Sequence, residues 1–123
     1  MKMGRTILYA EDHEDIRRFA GKMMSLRGYD VLEASDGEEA IEMALANHPD
    51  LILMDMAMPG MNGIEAGRAI RSQPGAEAIP LVAVTAYGNH FREQALEAGF
   101  AEVVDKGLFA TEMFTIIDKY LPQ

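Results

Sequence analysis

Five short apolar runs, separated along the whole chain by segments of helical periodicity, restrict this sequence to an α/β fold built on a parallel sheet. The runs are Ile7-Leu8-Tyr9-Ala10, Val31-Leu32, Leu51-Ile52-Leu53-Met54, Leu81-Val82-Ala83-Val84 and Val103-Val104. After the first run, Ile16, Phe19, Ala20, Met23 and Met24 fall at i, i+3, i+4, i+7 and i+8, which predicts one buried stripe of a helix. Met113, Ile116, Ile117, Tyr120 and Leu121 repeat that spacing in the last segment. Weaker stripes run through Ala40, Ile41, Ala44 and Leu45 and through Ile64, Gly67 and Ile70, and the weakest from Phe91 through Ala95 to Ala98. Asp36-Gly37 and Asn62-Gly63 mark helix starts, Gly28 and Gly99 helix stops, and Pro49 and Pro80 precede strands. His13 is expected to open the first helix and His48 to end the second. Five strands alternating with five helices require a parallel sheet covered on both faces. The third and fourth runs carry no polar alternation, as strands buried on both sides do not.

The chain's 123 residues, 49% of them apolar, supply one domain with one core, read as a single unit over residues 1-123. Twenty acidic residues against 11 basic ones give a net charge of −9, which repels a phosphate backbone and argues against direct nucleic-acid binding. Without cysteine there are no structural disulfides, zinc-thiolate sites or iron–sulfur clusters. The apolar stretch after Met1-Lys2-Met3-Gly4-Arg5 is too short for a signal peptide, and no run approaches the roughly 20 apolar residues that span a bilayer. A cytoplasmic protein with no membrane partner is the expectation.

The polar residues at the ends of the apolar runs are more informative than the runs themselves. The first run ends in Glu11-Asp12, the third in Asp55, the fourth in Thr85, and Lys106 comes shortly after the fifth. Parallel strands deliver their carboxyl ends to one edge, where ligands bind at the point of strand-order reversal. Each residue alone has a plainer role, as a helix cap, a turn residue or a solvated lysine. Together they form a candidate site. Crowded carboxylates need a counter-charge, and hard oxygen donors suit Mg²⁺. With that charge neutralised, one carboxylate can act as a nucleophile toward a phosphoryl group, with the ammonium of Lys106 balancing its oxygens.

These residues closely resemble the receiver domain of two-component response regulators, over essentially the whole chain. Glu11-Asp12 matches that family's acidic pair, Asp55-Met56-Ala57-Met58-Pro59-Gly60-Met61-Asn62-Gly63 its phosphoacceptor signature, Val84-Thr85-Ala86 its fourth-strand motif, and Lys106 its lysine after the fifth strand. The resemblance implies a flavodoxin-like, doubly wound sheet of order 2-1-3-4-5. It also implies that Asp55 accepts a phosphoryl group from a histidine kinase or histidine phosphotransfer protein. Mg²⁺ would be held by Asp12, Asp55 and the main-chain carbonyl of Ala57, with Glu11 acting through water. Lys106 would pair with the phosphoryl oxygens. Thr85 would move to bond the phosphoryl group, changing the surface of the fourth helix, fifth strand and fifth helix for a downstream protein partner.

Two positions depart from the family pattern. Gly107 replaces a proline that the family joins to its lysine by a cis bond; without proline a cis bond costs about 2.5–4 kcal/mol, so a trans, differently set and more flexible loop is expected. Val103 replaces the aromatic partner of the threonine, and Tyr87 is the candidate substitute. Ala57 cannot orient an attacking water and Tyr87 could shield an acyl phosphate, which together predict a long-lived phosphoryl state. A phosphorylation-independent scaffold is the alternative function. A metal-dependent phosphatase would need a second acid where Ala57 stands, and a flavin protein a phosphate loop in place of the acidic one.

Overall fold

The computed structural model describes residues 4–86 and 88–122, residues 88 and 89 through their backbone alone. Its strands are β1 (Thr6–Ala10), β2 (Asp30–Ala34), β3 (Leu51–Asp55), β4 (Leu81–Thr85) and β5 (Glu102–Asp105). Its helices are α1 (Glu14–Leu26), α2 (Gly37–Asn47), α3 (Gly63–Arg71), α4 (Arg92–Glu97) and α5 (Lys106–Tyr120), with a 3-10 turn at Gly88–Phe91 ahead of α4. All strand pairs are parallel, in the order β2-β1-β3-β4-β5. The expected fold is therefore the one observed. No helix among the described residues is long and apolar enough to cross a membrane.

Alternation along the strands divides the core into two layers. Ile7, Tyr9, Leu51, Leu53, Val82 and Val84 face α1 and α5, where they meet Ala20, Met24, Phe109, Met113, Ile116 and Ile117. Leu8, Ala10, Ile52, Met54, Leu81 and Ala83 face α2, α3 and α4, against Ala40, Ala44, Ala66, Ile70 and Ala95. β3 and β4 are buried at every position, as their unbroken apolar runs require.

The helix ends are fixed by local chemistry. Asp36 accepts the Glu39 N–H at 2.8 Å to cap α2, and Asn62 and Glu65 form a reciprocal capping box on α3. His13 is the N-cap residue of α1, and His48 closes α2 in the left-handed region at φ 48°. The α5 stripe faces inward as expected. The α1 stripe does not: Ala20 and Met24 are buried, but Ile16, Phe19 and Met23 are exposed, as is Leu26. Small residues at 20 and 21 seat α1 close on the sheet and centre its inner face there, so the neighbouring side chains at 16, 19 and 23 turn outward.

Phe100, only 3% exposed, lies against the backbone of α3 at Gly67, where an added Cβ would run into the edge of its ring. A Gly67→Ala substitution is expected to cost about 1–3 kcal/mol by overpacking. Chemical denaturation of the single variant and of Gly67→Ala/Phe100→Leu checks this: the smaller partner should recover most of the loss.

Candidate functional site

The strand register lines up the carboxyl ends. Ala10 pairs with Met54, Asp55 with Val84, and Thr85 with Asp105, so Glu11, Asp55, Thr85 and Lys106 leave the sheet along one edge. β1 stands between β2 and β3, which makes the β1–β3 boundary the point of reversal. Glu11 follows β1 and Asp55 ends β3, the two strands that meet there.

Lys106 reaches across two strands to both carboxylates. Its Nζ lies 2.9 Å from Glu11 Oε1 and 3.1 Å from Asp55 Oδ2. Glu11 has no exposed surface and Asp55 only 2%. The other Asp55 oxygen, Oδ1, accepts the Ala57 N–H at 3.2 Å. Glu11 Oε2 accepts the His13 N–H at 3.0 Å and faces the His13 Nδ1 at the same distance. Arg17 donates to the Glu11 carbonyl at 2.9 Å, which holds the turn between β1 and α1.

Burial acts on the two carboxylates alike, but their partners do not. Burial pushes Glu11 up, yet hydrogen bonds from His13 and Lys106 outweigh it and leave the group below the usual carboxylate range. Burial also pushes Asp55 up; the Ala57 N–H and Lys106 pull against it, the charge of Glu11 adds to it, and the net direction is upward. Lys106 is lowered by burial and raised more by its two anions, so it stays charged.

The same corner has a donor set that could hold a hard cation. Glu11, Asp12 and His13 can each turn one ligand atom to within 4.8 Å of the others. Oδ1 of Asp12 is buried and has no hydrogen-bond donor among the described residues. A buried carboxylate oxygen without a donor, in a set dominated by oxygen, fits Mg²⁺ with retained waters better than a softer metal.

A family model described as the response regulator receiver domain matches residues 7–118. The chain belongs to that family. Among its relatives is the polar-differentiation response regulator DivK of Brucella ovis, 28% identical over 97% of this chain and 98% of that protein. The transcriptional regulatory protein PdtaR of Mycobacterium tuberculosis is 35% identical over 93% of this chain but 55% of its own length. Among solved structures, the receiver domain of the sensor histidine kinase PA1611 from Pseudomonas aeruginosa superposes with a TM-score of 0.88. It is 30% identical, the match covers 98% of this chain and 99% of that one, and that receiver holds a magnesium ion in its active-site cleft.

In this receiver Lys106 brings Glu11 and Asp55 together, and Asp12 lies with Glu11 and His13. Thr85 is buried at the end of β4, beside Asp55 on β3. Val103 is half-buried two residues before the end of β5 and packs on the layer beneath α2, α3 and α4. Ala57 is exposed, and Tyr87 lies outside the described residues. Gly107 corrects an expectation. Its link to Lys106 is trans, but the pair forms the first turn of α5 rather than a flexible loop. Sequence reasoning gave His13 the opening of α1 and missed its second role, the hydrogen bonds to Glu11; its position two residues after a strand-end acid was the available signal.

Because the folded state raises the Asp55 pKa, ionised Asp55 opposes folding above that pKa, and the opposition disappears as pH falls through it. Asp55→Asn in metal-free buffer is therefore expected to melt a few degrees above wild type at pH 7. Circular dichroism melts across the acid range should show the gap narrowing as the wild-type carboxylate takes its proton.

Proposed function

We propose that this receiver accepts a phosphoryl group on Asp55 in an Mg²⁺-dependent reaction, from a histidine kinase or histidine phosphotransfer protein, and passes the signal by changing a protein contact. The observation that carries this reading is the ammonium of Lys106 set 3.1 Å from one oxygen of a buried carboxylate, beside acids able to hold a cation. An Asp55 oxygen attacks the phosphorus, and the bond from phosphorus to the donor's imidazole nitrogen breaks. That nitrogen keeps the electron pair and is protonated by solvent. The Ala57 N–H holds Oδ1 and leaves Oδ2, the oxygen on Lys106, as the nucleophile. Lys106 then pairs with an equatorial phosphoryl oxygen, and bound Mg²⁺, on Asp12, Asp55 and the Ala57 carbonyl, would neutralise the rest.

Thr85, buried at the end of β4 beside Asp55, would bond the new group and carry its arrival toward β5 and α4. Val103 has no ring to follow it, which is the observation favouring the scaffold reading. Ala57 offers neither acid nor base, so turnover is confined to the domain's own phosphoryl group. A cytoplasmic site of action follows from a cytoplasmic donor.

Donor access has a surface of its own. Ile16, Phe19, Phe109, Ala110 and Met113 line a groove between α1 and α5 that ends at Lys106. It continues along α1 through Met23 and Leu26, which is 73% exposed. Its apolar lining and the presence of Lys106 in it support its use by a helix of the phosphohistidine-bearing donor.

Intact mass after incubation with Mg²⁺ and acetyl phosphate should show one added phosphoryl group in wild type. None should appear in Asp55→Asn or with chelator present. An equal addition to the variant would point to another acceptor and sink the reading. For the groove, Phe19→Glu should slow transfer from the cognate kinase about tenfold while leaving the acetyl phosphate reaction unchanged; equal slowing of both would place the effect in the site instead.

A further inference from the structure

Lys106 must place its ammonium between carboxylates that belong to β1 and β3, yet it comes from the far side of the sheet, after β5. A lysine side chain is long and freely rotating, so an ammonium held on two targets requires a fixed backbone beneath it. The backbone on the strand side is fixed by the pairing of Asp105 with Thr85. On the helix side one side-chain bond adds to the packing of α5: the Asp105 carboxylate accepts the Gly107 N–H at 2.7 Å and caps the helix, whose first residue is Lys106. The first turn of α5 contains no other acidic side chain to meet its exposed N–H groups.

Gly107 is matched to this cap. A Cβ built on it would stand 3.1 Å from Asp105 Oδ1, tighter than ordinary van der Waals contact. A side chain there would crowd the carboxylate, and a proline would remove the donated N–H altogether.

We infer that Asp105 is a positioning residue for phosphoryl transfer: its cap on the Gly107 N–H fixes the turn that aims Lys106 at Glu11 and Asp55. Asp105 is itself exposed and acts through the backbone of its neighbour. Asp105 and Gly107 work as a pair, so that proline, the residue the family pattern would place after the lysine, is harmful in this chain. The inference rests on the phosphoacceptor reading of Asp55 and deepens it.

The test compares wild type with Asp105→Ala, Asp105→Asn and Gly107→Pro well below their melting temperatures. Three quantities are read: the rate of phosphorylation by acetyl phosphate at saturating Mg²⁺, the Mg²⁺ affinity by calorimetry, and the Lys106 ammonium signal by nitrogen NMR. Asp105→Ala should slow phosphorylation measurably, by up to about fivefold, the change in equilibrium constant that a typical N-cap of about 1 kcal/mol sets, at unchanged Mg²⁺ affinity. Asp105→Asn keeps the cap and should restore the rate, whereas Gly107→Pro should be slowed like Asp105→Ala. The ammonium signal should broaden in the two slowed variants and return in Asp105→Asn. A wild-type rate in Asp105→Ala or in Gly107→Pro, or a slow rate that Asn does not rescue, overturns the inference, because a cap that only adds stability leaves the rate alone. If wild type itself takes no phosphoryl group, the phosphoacceptor reading fails, and the ammonium signal then decides the positioning role: broadening in Asp105→Ala supports it and an unchanged signal overturns it.

Discussion

Two carboxylates buried side by side, Glu11 and Asp55, persist in this fold because one ammonium lies within 3.1 Å of both. Removing that ammonium would leave buried negative charge uncompensated, at a cost of about 3–5 kcal/mol. Much of the surrounding structure serves that contact. The parallel sheet delivers three strand ends to one edge, the order β2-β1-β3 makes Glu11 and Asp55 neighbours, and the cap of α5 brings Lys106 back over them. The balance between the two acids is unequal because their partners differ. Glu11 is held ionised by His13 and Lys106, while Asp55 is left above its ordinary range, a charge the fold tolerates rather than favours.

Most of this architecture was legible in the sequence because it rests on periodicity and on residues at strand ends. The doubly buried β3 and β4 announced themselves as unbroken apolar runs, and parallel geometry then required Glu11, Asp55, Thr85 and Lys106 to converge. The strand order came from the family resemblance, since periodicity does not say which strands are neighbours. The outward turn of Ile16, Phe19 and Met23 was not legible. Helical spacing reports an apolar face, but which side of that face meets the sheet depends on how closely Ala20 and Gly21 allow α1 to approach. The start of α5 at Lys106 was equally hidden, because Asp105 caps by a side-chain bond to Gly107 that the pattern of apolar residues does not encode.

The exposed apolar face of α1 and the buried acidic corner meet at Lys106, and their physical characters are opposite. The groove offers mostly apolar area, with Asp15 and Lys106 in its lining, suited to a transient helical contact. The corner offers charge with little exposed area, suited to a small transferred anion and its metal. The elements α1 and α5 supply the first, while β1, β3 and the turn after β5 supply the second.

On the proposed function, Asp55 and neither of the neighbouring acids Glu11 and Asp12 carries the phosphoryl group. Borohydride reduction of the phosphorylated chain converts an acyl phosphate to an alcohol, and peptide mapping by mass spectrometry then locates it. The account predicts the reduced residue at position 55 and nowhere else. A reduced side chain at Glu11 or Asp12, or no reduced residue in a chain that gained phosphoryl mass, would contradict it.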